Sequence, residues 1–65
     1  MQLTVNGERR EVGDGCTVAD LLGELGVTGR FAVELNAEIV TRSSFGKRFL
    51  AADDIVEIVK AIGGG

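Results

Sequence analysis

Hydrophobic and polar residues alternate at the start of the chain, where polar residues separate Met1, Leu3 and Val5. A period of two is typical of a β-strand with one buried face. Asn6-Gly7 follows, and both residue types accept the positive φ angles of a type I′ turn. The pattern therefore predicts a hairpin whose return strand covers residues 8–12. The charged residues of that strand favour an edge position, where charge discourages pairing with foreign strands.

The next periodic segment predicts a short amphipathic helix that begins after Thr17. The Thr17 hydroxyl can cap the backbone N–H three residues on, and Asp20 occupies the acidic position of a capping box. Cys16 and Leu21 occupy the two positions of a hydrophobic staple. Gly26 is the expected C-terminal glycine of the helix, because it turns left-handed at little steric cost. The apolar face has helical spacing and consists of Val18, Leu21, Leu22 and Leu25.

Strand patterns return in the second half of the chain. Residues 31–35 alternate in polarity, and residues 38–40 form a short extended piece after an Asn-Ala turn. Residues 41–46 are polar and rich in hydroxyls, which indicates a loop or a 3₁₀ turn. Residues 55–62 are the most β-prone segment. Their apolar residues would face both sides of a sheet, which predicts a central strand buried on both faces: Ile55, Val56, Ile58 and Val59.

These elements predict an α+β fold with one main helix packed across a mixed sheet of four to five strands. The first and last strands are the best candidates for its centre. If they lie side by side, they are parallel, and the hairpin with the helix is the crossover connection. This order of elements is the β-grasp plan of ubiquitin. We expect a single domain over residues 1–62 and a flexible Gly-Gly-Gly tail over residues 63–65.

The composition argues against several classes of function. The 65 residues carry a net charge of −3, which disfavours binding to nucleic acid. A single cysteine cannot form an internal disulfide. The chain has no histidine, so we also expect no metal site of the usual Cys and His type. The longest apolar run is far too short for a membrane span, and the first residues do not resemble a signal peptide, so we expect a cytoplasmic location. A domain this small leaves little room for a deep active site, which favours a carrier or binding module over an enzyme.

The usual catalytic groups are missing, and we predict no catalytic residues. Asp53 and Asp54 are adjacent carboxylates whose side chains point apart on a turn. Cys16 could be activated beside a helix N-terminus, but the chain has no histidine to act as its base, so packing is the favoured role. Arg42 with the hydroxyls of Ser43 and Ser44 is either an anion site or a solvated loop, and the second is favoured.

The three glycines at the end are the most informative feature. Without side chains, Gly63, Gly64 and Gly65 can pass through a channel that excludes any residue with a Cβ. The α-carboxylate of Gly65 is a poor acyl donor until ATP converts it to an anhydride with AMP. Another protein would perform this activation, so the chain needs no catalytic residue. The alternative is a frayed terminus with no function.

The chain resembles ThiS, the family of small sulfur carriers of thiamine biosynthesis, over essentially its whole length. The matching segments are VNGE at 5–8, TVADLL at 17–22, AVELNAEIV at 32–40, RS at 42–43 followed by Phe45, DDIVEIV at 53–59 and AIGGG at 61–65.

The resemblance implies a function and a set of partners. A ThiF-like adenylyltransferase would activate Gly65 with ATP and magnesium, while the chain itself binds no cofactor and no metal. A cysteine desulfurase would provide the sulfur for a terminal thiocarboxylate, and a ThiG-like thiazole synthase would receive it. Gly63 and Gly64 would form the tail that enters the partner. The candidate partner contacts are Arg42, Phe45 and Ile62, although a buried Phe45 would be part of the core instead.

Three alternatives stay open at this point. A MoaD-like carrier for molybdopterin synthesis shares the fold and tail but supplies another pathway. A non-carrier β-grasp interaction module would not need a free Gly65. A ubiquitin-like modifier would form isopeptide bonds with lysines instead of a thiocarboxylate.

Overall fold

Five strands and one helix make up residues 1–61, the part of the chain that this computed structural model describes. The sheet has the strand order β2-β1-β5-β3-β4, with β1 and β5 parallel and the other neighbours antiparallel. The predicted mixed sheet with one helix is confirmed, as is the parallel pairing of the first and last strands. The elements are β1 (Gln2–Val5), β2 (Glu8–Glu11), α1 (Val18–Leu25), β3 (Phe31–Leu35), β4 (Glu38–Val40), a 3₁₀ turn (Arg42–Ser44) and β5 (Ile55–Lys60).

The hairpin forms as predicted and places β2 at the edge of the sheet. Asn6 and Gly7 both have positive φ angles, of 49° and 83°, as a type I′ turn requires. The return strand ends one residue before the predicted boundary, and Val12 leaves the strand to pack in the core.

Both ends of α1 have the predicted caps. The Thr17 hydroxyl accepts a hydrogen bond from the Asp20 N–H (3.1 Å), and the Asp20 carboxylate accepts one from the Thr17 N–H (2.9 Å). This reciprocal capping box satisfies two N–H groups that would otherwise lack partners. Gly26 ends the helix in the left-handed conformation, with φ of 68°.

The core lies between α1 and one face of the sheet. Cys16 and Leu21, the predicted staple pair, are both buried there. Leu25, the last residue of the predicted apolar face, is only half-buried because it lies at the end of the helix. The largest fully buried side chains come from the helix and three strands: Leu3, Val18, Leu21, Val33, Leu35 and Val56.

The prediction that β5 is buried on both faces is wrong. β5 is central, but Ile55 and Val59 are 52% and 55% exposed, whereas Val56 is buried. The reason is that the single helix covers one face of the sheet and leaves the other open. The strand also ends at Lys60 and not at the predicted Ile62. Ile62 and the predicted tail, Gly63–Gly65, lie outside the described residues, so the proposed division at residue 62 stays a prediction.

Two asparagines hold β5 in place, a role that the sequence did not indicate. The Asn6 Oδ1 atom accepts a hydrogen bond from the Ile58 N–H (2.7 Å), and the Asn36 Oδ1 atom accepts one from the Ile55 N–H (2.9 Å). Asn36 adopts a positive φ of 50°, which asparagine tolerates better than most residues. Asn6 lies in the turn between β1 and β2, and Asn36 lies in the turn between β3 and β4. Each therefore shapes a hairpin turn and also fixes β5 through its side chain.

Shortening a central core residue should severely destabilise the domain. We expect Leu21→Ala to lower the free energy of unfolding by about 2–5 kcal/mol, because Leu21 is fully buried and the helix can only partly close the cavity. Chemical denaturation of both proteins measures the difference. The half-buried Leu25 provides a matched control, and Leu25→Ala should cost less. Equal losses at the two positions would contradict this account of the helix face.

Candidate functional site

The end of β5 fixes the point from which the C-terminal residues continue, and we call this end of the sheet the tail end. Lys60, the last residue of β5, is paired with Phe31 of β3. The Ala61 N–H donates a hydrogen bond to the Arg30 carbonyl oxygen (3.0 Å). The chain is therefore held to β3 up to Ala61, which is the last described residue.

An aromatic stack with an arginine lies at the tail end. The rings of Phe31 and Phe45 are nearly parallel, with centroids 6.0 Å apart, and the Arg42 guanidinium carbon is 5.2 Å from the Phe31 centroid. Phe31 and Phe45 are half-buried against the core, whereas Arg42 is exposed. The structure thus brings together two predicted contact residues, and Phe45 combines a packing role with partial exposure.

Phe31 belongs to this stack, and sequence reasoning treated it only as the first residue of a strand. Its pairing with Lys60 across the sheet is what places the stack beside the tail end. The signal that could have found it is the antiparallel register of β3 and β5. That register cannot be read from either segment alone, because it depends on where the two strands meet.

The hydroxyls that follow Arg42 are occupied locally. The Thr41 hydroxyl is hydrogen-bonded to those of Ser43 (3.4 Å) and Ser44 (3.1 Å). The Arg42 guanidinium lies over the Phe31 ring, whose negative face already opposes part of its charge. These contacts favour the solvated turn over the anion site considered for this segment.

The uncovered face of the sheet carries exposed apolar side chains. Ile39, Ile55 and Val59 are 74%, 52% and 55% exposed, and we call these three residues the open-face patch. Glu34 lies beside it, paired with Ile39 on one side and with Glu57 on the other. Glu57 also separates Ile55 from Val59, so the three apolar side chains surround two glutamates. Several exposed apolar side chains on one face are nevertheless typical of a protein-binding surface. The patch includes two residues of β5 and therefore borders the strand that leads to the C-terminal residues.

Cys16 has the environment of a structural residue. It is 7% exposed, and its thiol donates a hydrogen bond to the Thr17 carbonyl oxygen (3.4 Å). Burial raises the pKa of this thiol, and the nearby carboxylates of Asp20 and Glu24 raise it further. A reactive cysteine needs a lowered pKa, so this environment supports the packing role.

The adjacent carboxylates serve separate structural roles. Asp53 forms an ion pair with Arg9 (3.1 Å). Asp54 accepts hydrogen bonds from the Ala51 N–H (2.7 Å) and from the Asn36 side-chain amide (3.0 Å). Their side chains therefore diverge from the turn and do not form a catalytic pair.

Over residues 1–61, no group of three or more His, Cys, Asp or Glu side chains is placed to hold a metal ion. Within the same range, no helix has the length and apolar character needed to cross a membrane.

The strand order and the single helix define a small β-grasp domain, and comparison with known proteins identifies its family. A family model described as the ThiS family matches residues 3–65. The chain belongs to the ThiS family.

Solved structures agree with this assignment. The crystal structure of thiamine biosynthesis protein ThiS from Geobacter metallireducens superposes with a TM-score of 0.87 at 36% sequence identity, covering 100% of both chains. An NMR solution structure of a thiamine biosynthesis protein from the same organism gives a TM-score of 0.82, also at 36% identity, and covers 100% of this chain and 88% of that one.

Two curated relatives are named thiazole synthase. The protein from Paramagnetospirillum magneticum is 50% identical over 66 residues, and the protein from Magnetococcus marinus is 39% identical over 66 residues. Both matches cover 100% of this chain but only 20% of the relative. The chain therefore spans about a fifth of the length of these relatives.

The Cys16 thiol should react slowly in the folded domain. We expect alkylation by iodoacetamide at pH 8 to be slower than that of free cysteine by about tenfold or more, because burial and the raised pKa leave little accessible thiolate. The rate should also begin to rise at a higher pH than the rate of a free thiol. Unfolding in denaturant is the control and should restore ordinary reactivity. Rapid alkylation of the folded chain at neutral pH would contradict a purely structural role.

Proposed function

We propose that this chain is a sulfur carrier of thiamine biosynthesis, with Gly65 as the residue that carries the sulfur. The observation that carries this proposal is the extent of the family match, which runs through residue 65 and so includes all three glycines. Membership of the ThiS family also favours thiamine biosynthesis over the MoaD-like alternative.

The chemistry requires a partner enzyme at each step. The Gly65 carboxylate attacks the α-phosphorus of magnesium-bound ATP on a ThiF-like adenylyltransferase, which releases pyrophosphate and leaves an acyl adenylate. A persulfide sulfur that originates from a cysteine desulfurase then attacks the acyl carbon and displaces AMP. A thiol reduces the resulting acyl disulfide, which leaves the terminal thiocarboxylate. ATP and magnesium are used by the adenylyltransferase, so the carrier binds no cofactor of its own.

A ThiG-like thiazole synthase is the proposed acceptor of the sulfur. The names of the two curated relatives support this choice, because a segment similar to this chain occupies part of proteins called thiazole synthase. In the acceptor, the thiocarboxylate sulfur acts as a nucleophile held on a protein, so no free sulfide is released. We propose a cytoplasmic location for these steps.

The described residues support this role by fixing the point from which the glycines extend. Hydrogen bonds that β5 and Ala61 donate to Asn6, Asn36 and Arg30 hold them in place. A partner that binds the domain rigidly would therefore meet Ala61 at a defined position. Gly63 and Gly64 would pass through its channel, because they have no side chains.

We propose that the open-face patch is the main surface that contacts the adenylyltransferase. Its residues lie on the uncovered face of the sheet, and covering them would remove apolar surface from water. Arg42 is exposed at the tail end and lies over the Phe31 ring, so it can add a polar contact at the rim. Ile62 follows the described residues directly and is proposed as a further contact.

Mass spectrometry tests the carrier chemistry directly. After incubation of the chain with a ThiF-like adenylyltransferase, a cysteine desulfurase, cysteine, ATP and a thiol reductant, we expect the exchange of one oxygen for sulfur, mapped to Gly65. A variant lacking Gly65 is the matched control. It should keep the same melting temperature, because the hydrophobic core is formed by side chains within residues 1–61, but should not gain sulfur. An unmodified chain in a mixture that modifies a known ThiS protein would favour the non-carrier module instead.

A charge placed in the open-face patch should weaken recognition without unfolding the domain. We expect Val59→Asp to lower kcat/KM for adenylation by about tenfold or more, because an apolar contact is replaced by a charge that loses its water on binding. The shape-conserving Val59→Thr should have a smaller effect. Ala52→Asp adds the same charge at an exposed turn before β5 and should leave kcat/KM unchanged. Equal effects of the two aspartates would show that this patch is not the contact surface.

A further inference from the structure

A second surface feature lies at the tail end, on the helix side of the sheet. It is a groove of about 420 Å³ between the β1–β2 hairpin, the end of α1 and the end of β5, and we call it the tail-end groove. Its lining consists of Val5, Asn6, Glu8, Arg9, Arg10, Leu25, Gly26, Val27, Ile58 and Lys60. None of these residues belongs to the open-face patch.

The floor of the groove is apolar and incompletely covered. Leu25, Val27 and Ile58 pack against the core but are only half-buried. They lie where α1 ends, so the helix no longer shields the sheet beyond this point. An apolar side chain placed on this floor would remove the remaining surface from water, which is favourable in proportion to the area covered.

Three cations line the groove, and two of them lack an ion-pair partner among residues 1–61. Within the described part of the chain, neither Arg10 nor Lys60 forms an ion pair, whereas Arg9 is paired with Asp53. The Arg10 Nε atom is buried and has no hydrogen-bond partner among the described residues. Arg10 as a whole is only half-buried, so a carboxylate that contacted the accessible part of its guanidinium would form a charge-assisted hydrogen bond. Glu8 is the one acidic residue in the lining and sits on the exposed rim.

The charges of the lining suit an acidic ligand. Arg10 and Lys60 carry positive charge without an ion-pair partner among residues 1–61, and Glu8 is the one acidic side chain beside them. An excess of cations in a groove is complementary to a carboxylate. The rim is exposed at Asn6, Glu8 and Lys60, so the groove is too open to enclose a small molecule in the usual way. An extended protein segment suits it better.

We propose that the tail-end groove binds an acidic segment of a partner protein. A carboxylate of that segment contacts Arg10 and Lys60, and a neighbouring apolar side chain covers Leu25, Val27 and Ile58. The groove and the open-face patch lie on opposite faces of the sheet, so the domain has two separate contact surfaces at the strand that leads to its C-terminal residues. This binding does not depend on thiocarboxylate chemistry and can be tested without it.

NMR titration tests the groove with a defined probe. The ¹⁵N-labelled chain is titrated with the capped peptide acetyl-Leu-Glu-Asp-Leu-Glu-amide, up to about 10 mM. We expect saturable shifts of the Arg10, Gly26 and Ile58 amides with a Kd of about 1 mM or lower. Arg10→Gln should weaken binding about tenfold, since it removes the charge but keeps much of the side chain. Lys47→Gln removes an exposed cation near the other end of α1 and should leave the Kd unchanged.

Three outcomes would overturn the proposal. The first is an absence of saturable shifts at these amides. The second is equal binding of a peptide in which Gln and Asn replace Glu and Asp, or equal binding by the folded Arg10→Gln variant. The third is that inorganic phosphate saturates the same amides and the acidic peptide adds nothing, which would leave a simple anion site without recognition of a protein segment.

Discussion

The structure depends on the insertion of the last strand into the centre of the sheet. β5 pairs in parallel with β1 and antiparallel with β3, so it joins the N-terminal hairpin to the second pair of strands. Asn6 and Asn36 lie on either side and bond to its backbone. The domain can complete its core only when this strand is in place. A chain end that continues from β5 therefore starts from the most constrained element of the fold.

A five-stranded sheet with one helix has two unlike faces, and this asymmetry explains both candidate surfaces. The helix covers the centre of one face and buries Leu3, Val33 and Val56. The other face stays uncovered, so apolar side chains of β4 and β5 remain exposed there. On the helix side, α1 ends before the sheet does, which leaves the tail-end groove. Both surfaces exist because one short helix cannot cover the whole sheet.

The distribution of chemistry in the domain suits a carrier acted on by other proteins. The only thiol is buried with a raised pKa, and the adjacent aspartates are used in turns and ion pairs. The polar and aromatic groups at the tail end instead stay at least partly exposed, with Arg42 over the Phe31 ring and that ring stacked on Phe45. A domain of 65 residues has little volume for an enclosed active site, so its functional surfaces lie outside the core.

Local signals in the sequence determined the elements and many of their boundaries. Some of these signals act over only a few residues: the Asn6-Gly7 turn, the Thr17 capping box and the Gly26 cap. The spacing of hydrophobic residues distinguished the helix from the strands. Together they indicated the fold, and the glycines and motifs indicated the family. Only the tertiary structure decided that β5 has one exposed face, that Phe31 joins Arg42 and Phe45, and that Arg10 and Lys60 line one groove. These features depend on register and on the area that one helix can cover, and both arise from contacts between segments far apart in the chain.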